Sequence, residues 1–129
     1  MKTKLVFFIA SLLMISEVSF SQSLIFCDRA DVNGKAVNAN TIFTVPKNGG
    51  PVTLLFTAAA SAKPASVSFD VYRLDNGKEV FISTIKQALN GSQNFVAKQM
   101  TFYDAGRYRV YVFDTQDKPL ARSEVLIKK

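Results

Sequence analysis

The chain has 129 residues, 16 basic and 10 acidic side chains, a net charge of +6, and a composition that is 48% hydrophobic and 20% charged. This is the balance of a globular domain and not of a disordered one. The absence of histidine and tryptophan and the presence of one cysteine exclude Ser-His-Asp and Cys-His catalytic sites, histidine-based or multi-cysteine zinc sites, and an internal disulfide framework.

The first segment reads as an export signal. Lys2 and Lys4 precede an almost unbroken apolar run, Leu5–Ile15, and Ser19-Phe20-Ser21 places small residues at the −3 and −1 positions. Charged start, apolar middle and small-x-small end are the three parts of a secretory signal peptide. The run is shorter than the ~20 residues a membrane span needs. Residues 1–21 are therefore expected to be removed before Gln22, with Ser23/Leu24 as the second choice. A periplasmic or secreted protein is implied. Cys27 follows Ile25 and Phe26, not the small residue a lipoprotein signal requires, so no lipid or other membrane anchor is expected after cleavage.

The residues from 22 to 129 suit one domain, large enough to bury about two thirds of its unfolded surface without metal or disulfide staples. Removing Lys2, Lys4 and Glu17 leaves a net charge of +5. The basic residues are scattered, with Lys128–Lys129 and the pair Arg107 and Arg109 the densest groupings, so a solvated surface is expected and no nucleic-acid partner.

No helical periodicity is present from Leu24 onward. Four Asn-Gly pairs (Asn33-Gly34, Asn48-Gly49, Asn76-Gly77, Asn90-Gly91) separate runs rich in Val, Ile, Phe, Tyr and Thr. Asn and Gly tolerate the positive φ that tight turns between antiparallel strands require. The predicted strands in chain order are Ser23–Asp28, Thr41–Val45, Val52–Ala58, Ser66–Leu74, Glu79–Lys86, Phe95–Tyr103, Arg107–Asp114 and Leu120–Lys128. Ala58–Ala65 is read as a loop. Cys27 falls in the first strand, where it is either a buried thiol behaving as a small hydrophobe or the source of an intermolecular disulfide. Asn76-Gly77 joins Ser66–Leu74 to Glu79–Lys86 as a hairpin. Seven or eight strands at this spacing predict an all-β, two-sheet antiparallel β-sandwich.

Asp104-Ala105-Gly106-Arg107-Tyr108-Arg109-Val110 resembles the D-x-G-x-Y-x-C signature of immunoglobulin-like domains. In that family the tyrosine opens a late strand and its hydroxyl bonds back across a corner. The resemblance makes Asp104, Gly106 and Tyr108 a structural corner. Val110 stands where the family has its second cysteine, and the family's core tryptophan has no counterpart. The likeness therefore points to the immunoglobulin-like or fibronectin type III-like sandwiches that lack both, here in an exported bacterial protein. The last third is also similar in outline to the sorting domains of type IX secretion, through Gly106, Tyr108, Val110, Val112 and the basic C-terminal pair. In those proteins a cargo domain precedes the sandwich, and the residues from 22 onward are already taken up by the sandwich itself.

Motifs for chemistry are missing. Most acids of the mature chain sit at predicted turns, where Asp bonds to backbone. Asp31, Asn33 and Gly34 imitate part of a calcium loop, but Arg29 and Asn40 occupy its first and last ligand positions. No Walker or dinucleotide glycine motif is present. No catalytic residue, metal or cofactor is expected.

The aromatic side chains carry the remaining signal. Tyr72, Tyr111 and Phe113 alternate out of phase with the apolar set of their own strands, and Arg109 shares their phase. Such a group is a candidate binding surface. Its expected partner is another envelope or extracellular protein, with carbohydrate as the alternative. The reading is that of an exported, non-enzymatic β-sandwich module that presents a surface.

Overall fold

The computed structural model describes residues 22–59, 63–89 and 91–129. The predicted signal segment, Asn90 and the middle of the Ala58–Ala65 loop lie outside them. All regular structure among the described residues is β, in ten strands: β1 (Ser23–Cys27), β2 (Arg29–Ala30), β3 (Ala36–Val37), β4 (Ile42–Thr44), β5 (Gly50–Thr57), β6 (Ser66–Asp75), β7 (Lys78–Ala88), β8 (Phe95–Phe102), β9 (Gly106–Phe113) and β10 (Pro119–Lys128).

The strands form a three-stranded sheet in the order β8-β5-β1, a five-stranded sheet in the order β4-β10-β9-β6-β7, and the two-stranded hairpin β2-β3. Every pairing is antiparallel except that of β4 with β10, where Leu126, Ile127 and Lys128 face Ile42, Phe43 and Thr44 in parallel. The architecture is compatible with a β-sandwich. Leu24, Phe26, Val52, Leu54, Phe56 and Phe102 from the smaller sheet share one buried cluster with Val67, Phe69, Val71, Tyr108, Val110, Val112, Val125 and Ile127 from the larger.

Period-2 alternation explains the larger sheet. In β6 the residues Val67, Phe69 and Val71 are buried, and in β9 Tyr108, Val110 and Val112 are buried, with partly exposed residues between them. The alternate residues of both strands must then point away from the core. In β5, by contrast, Val52 to Phe56 are all buried. Val52, Leu54 and Phe56 belong to the core cluster, Thr53 and Leu55 lie on the alternate face, and β2 lies close to β5. The Thr53 hydroxyl, on that alternate face, donates 2.9 Å to the Asp28 carbonyl, so its burial leaves no orphan hydroxyl. Pro51 belongs to β5 although it cannot donate to a ladder. It lies beyond the stretch where β1 pairs, with only β8 beside it, which is an edge-like position.

The turn spacing predicts seven or eight strands in two sheets, and the difference lies between Cys27 and Thr41. There Asn33-Gly34 does not lead into the next long strand. It closes the small hairpin β2-β3, in which the Gly34 amide bonds to the Asp31 carbonyl at 3.0 Å and the Asp31 amide to the Lys35 carbonyl at 2.9 Å. The Asp31 carboxylate accepts the amides of Asn33 and Lys35, both at 2.9 Å. Asp114 anchors the β9-β10 turn in the same manner, accepting the amides of Gln116 and Lys118 at 2.8 and 2.9 Å. Two-residue strands are too short for a periodicity to register, so their pairing is fixed by this side-chain-anchored turn and not by a hydrophobic pattern.

The β6-β7 hairpin turns at Asn76 (φ 52°) and Gly77 (φ 82°). Both central residues have the positive φ of a type I′ turn, whose twist matches that of the flanking strands. The turn sets the register Asp75–Lys78, Leu74–Glu79, Arg73–Val80 and Tyr72–Phe81. Beyond it a bulge at Ile82 shifts the ladder, so that Ser83 faces Val71.

Candidate functional site

The outward face of the five-stranded sheet is built by register. Phe81 of β7 faces Tyr72 of β6, Tyr72 faces Arg109 of β9, and Arg109 faces Glu124 of β10. These four residues make a row across four strands. The next row contains Thr84, Asp70, Tyr111 and Arg122. Side chains in such rows stand about 4.5–5.5 Å apart at Cβ, which is contact distance for aromatic and long charged groups.

The rings form a connected cluster. Tyr72 meets Tyr111 edge to face, with centroids 5.6 Å apart and planes at 89°, and meets Phe81 at 5.7 Å and 69°. Tyr111 and Phe113 lie nearly parallel, 6.1 Å apart at 29°. Phe81 is 56% exposed, while Tyr72, Tyr111 and Phe113 are half-buried. Their mutual packing, not the core, covers them.

A charged group adjoins the rings. The Arg109 Nε and Nη2 donate to Glu124 Oε2 at 2.9 and 2.7 Å, and its Nη1 donates to Glu79 Oε2 at 2.7 Å. The Tyr111 hydroxyl donates to the same Glu79 oxygen. Hydrogen bonds from Tyr111 and Arg109 hold the Glu79 carboxyl below its ordinary range, because they stabilise the charged form. The two carboxylates hold Arg109 all the more firmly protonated. Burial raises the Tyr72 phenol, and Asp70 and Glu79 add to the effect. A general acid needs a carboxyl raised toward neutrality; Glu79 is shifted the opposite way.

All four residues of the sequence-predicted surface, Tyr72, Arg109, Tyr111 and Phe113, come together on this one face. Phe81, Glu79 and Glu124 belong to it as well and escape sequence reasoning. A signal for Phe81 does exist: with Asn76-Gly77 as a two-residue turn, counting outward places residue 81 opposite residue 72. Glu124 offers no such count, because the β9-β10 pairing shifts register between Val112 and Phe113.

The corner residues lie on the other side of β9. The Tyr108 ring is buried against Phe102, edge to face at 4.9 Å, and its hydroxyl donates 2.8 Å to the Asp104 carbonyl. Gly106, with φ 152°, enters β9 beside the Arg73 side chain. Cys27 is a free, fully buried thiol whose Sγ lies 3.8 Å from the Thr53 carbonyl. Burial, and next the charge of Asp28, push that thiol up.

Asp31, the residue that suggested a calcium loop, directs its carboxylate at its own turn amides. Among the described residues no cluster of three or more acidic, cysteine or histidine side chains is arranged to hold a metal ion, and no helix is long and apolar enough to cross a membrane. A shallow, mainly apolar groove of about 260 Å³ runs between Ile25, Phe26, Asn40, Thr41 and Ser123 and shares no residue with the aromatic face. In comparisons with known proteins, the chain matches no family model and no curated sequence.

Proposed function

We propose that this protein is an exported, non-enzymatic immunoglobulin-like sandwich whose aromatic face binds another envelope or extracellular protein. The fold part of the reading is supported by strand order. The β8-β5-β1 sheet, the β10-β9-β6-β7 sheet with its parallel β4 edge, and the bond from the Tyr108 hydroxyl to the Asp104 carbonyl are the features that support it. The export part rests on the charged, apolar and small-x-small layout of residues 1–21.

One observation carries the choice of partner: the rings meet edge to face. Tyr72 is tilted against Tyr111 and Phe81 at 89° and 69°. A sugar ring stacks on a flat aromatic face, and here the rings are tilted against one another. Tyr, Phe and Arg packed together beside two carboxylates are instead the composition of a protein-interface hot spot, with large apolar area and fixed polar ends. The carbohydrate alternative keeps one supporting feature, the near-parallel pair Tyr111 and Phe113.

The test is capture from the cell's own envelope extract with wild-type protein and with Phe81→Ala and Tyr111→Ala, alongside a glycan panel. A protein retained by wild type and lost with both variants supports the reading. Equal retention by all three, or glycan binding lost on Tyr111→Ala, overturns it.

A further inference from the structure

Three consecutive large apolar side chains on β7 are partly exposed: Val80 (44%), Phe81 (56%) and Ile82 (44%). β7 is an edge strand, with β6 as its one ladder partner among the described residues. It is eleven residues long, contains no proline, and carries no charge from Val80 to Ile85. Soluble proteins shield such edges with prolines, central charges or covering segments, because a long apolar edge pairs with whatever strand it meets. An exposed apolar run of this kind needs an occupant.

We infer that the occupant is β7 of a second copy, paired antiparallel across a two-fold axis. The bulge sets the register. Residues Glu79, Phe81, Thr84 and Lys86 face the residues Leu74, Tyr72, Asp70 and Ser68 on the outward side of β6, whereas Ser83 and Ile85 face the buried Val71 and Phe69. Ile82 lines a cleft with Met100, Phe102 and Tyr108 and so also points inward. In an antiparallel pair, facing residues must lie on the same side of the sheet.

An unbulged strand meets that condition only when the axis passes through a residue. Here the extra residue moves the axis to lie between Ile82 and Ser83. The matched pairs are then Glu79 with Lys86 of the second copy, Val80 with Ile85, Phe81 with Thr84, and Ile82 with Ser83, each occurring twice by symmetry.

Charge complementarity selects this pairing. It places opposite charges together at both ends and apolar or β-branched residues between them. Sliding by two residues in one direction sets Phe81 against Lys86 and Val80 against Gln87. Sliding in the other sets Lys78 against Ile85 and Glu79 against Thr84. Both separate Glu79 from Lys86. Glu79 uses only Oε2 for Arg109 and Tyr111, which leaves Oε1 for the second copy, and Lys86 has no ion pair among the described residues. A bulge ordinarily discourages edge pairing; two bulges meeting at the axis keep both ladders in phase. The resulting sheet is continuous through ten strands. This pairing does not depend on which protein the aromatic face binds.

The experiment is sedimentation velocity on protein purified from cells expressing the full chain, at concentrations from about one to a hundred micromolar. Wild type is expected to sediment as a dimer at the upper end. Ile82→Lys should give a monomer throughout. Lys86→Glu, a surface change that sets like charge against Glu79 of the second copy at both ends of the pairing, should raise the dissociation constant about tenfold. Mixed Phe81→Cys and Thr84→Cys proteins should form a disulfide under mild oxidation, while Cys27 stays buried. A wild-type monomer at every concentration overturns the inference. So does a dimer indifferent to both Ile82→Lys and Lys86→Glu, or mixed cysteine variants that fail to cross-link.

Discussion

The hydroxyl of Tyr108 donates a 2.8 Å hydrogen bond to the carbonyl of Asp104, four residues earlier in the chain. The bond ties the start of β9 to the turn that feeds it. The ring that carries the hydroxyl is 4% exposed and packs edge to face on Phe102. One residue thereby fixes both the path of the backbone and the contact between β9 and the smaller sheet.

Tyr108→Phe and Tyr111→Phe delete the same atom from opposite faces of one strand. The first removes the bond to Asp104 and should cost about 1 kcal/mol, the usual worth of a net hydrogen bond, since the exposed Asp104 segment admits water to the freed carbonyl. The second removes the bond to Glu79, which Arg109 still holds, and should cost about 0.5 kcal/mol. Urea denaturation of both variants gives the order. A larger loss at Tyr111 would contradict the packing described for β9.

Glu79 links stability to acid pH. Its folded-state pKa is depressed by Tyr111 and Arg109, so its contribution is fully present above the unfolded-state value of about 4.3 and is lost as pH falls through the folded value. Glu79→Gln should be less stable than wild type at pH 7, by about 1 kcal/mol or less because the group is partly solvated. The gap should close as the pH is lowered from about 5 toward 2. Thermal melts of the two proteins across that range check it; a gap that widens in acid would reverse the assigned sign.

Two glycines with nearly equal φ separate strain from crowding. Gly34 has φ +80° and Gly77 has φ +82°. A Cβ on Gly77 meets nothing within 4 Å, whereas on Gly34 it would collide with the ring of Phe95. Gly77→Ala should cost about 1–2 kcal/mol, for the left-handed backbone alone. Gly34→Ala should cost about 1 kcal/mol more for overpacking. In the Phe95→Ala background that excess should disappear, a double-mutant cycle measurable by urea denaturation.

Cys27 should be inert while the protein is folded. Its thiol is fully buried and its pKa is raised, which suppresses the reactive thiolate. Labelling with a thiol reagent should be negligible in buffer and complete in denaturant, and reducing agent should leave the melting temperature unchanged. Rapid labelling of native protein would show that the β1-β5 seam opens locally.

The aromatic face was legible in the sequence because it depends on period-2 alternation within single strands. In β9, Tyr108, Val110 and Val112 alternate with Arg109, Tyr111 and Phe113, so once one set is buried the pleat turns the other outward. The Asn76-Gly77 turn was legible for a similar reason, since its two residues are chosen for positive φ and its length fixes the local register. All of these signals are local: they lie within one strand or one turn.

What joins distant segments came only from the folded chain. Glu124 reaches Arg109 through a register shift at Val112/Phe113, and Glu79 bridges Arg109 and Tyr111 from a strand 30 residues away. The bulge at Ile82 and the hairpin β2-β3 leave no periodic mark, because a single inserted residue or a two-residue strand is shorter than the period that would reveal it. The sequence by itself thus determined an all-β chain and the outward side of its longest regular strands, through side-chain period and turn chemistry. The tertiary structure decided strand order, the third sheet, and the ion-pair network that closes on Arg109. Those depend on which backbones lie 4.7–4.9 Å apart, and long-range pairing of that kind is set by burial of the whole core at once.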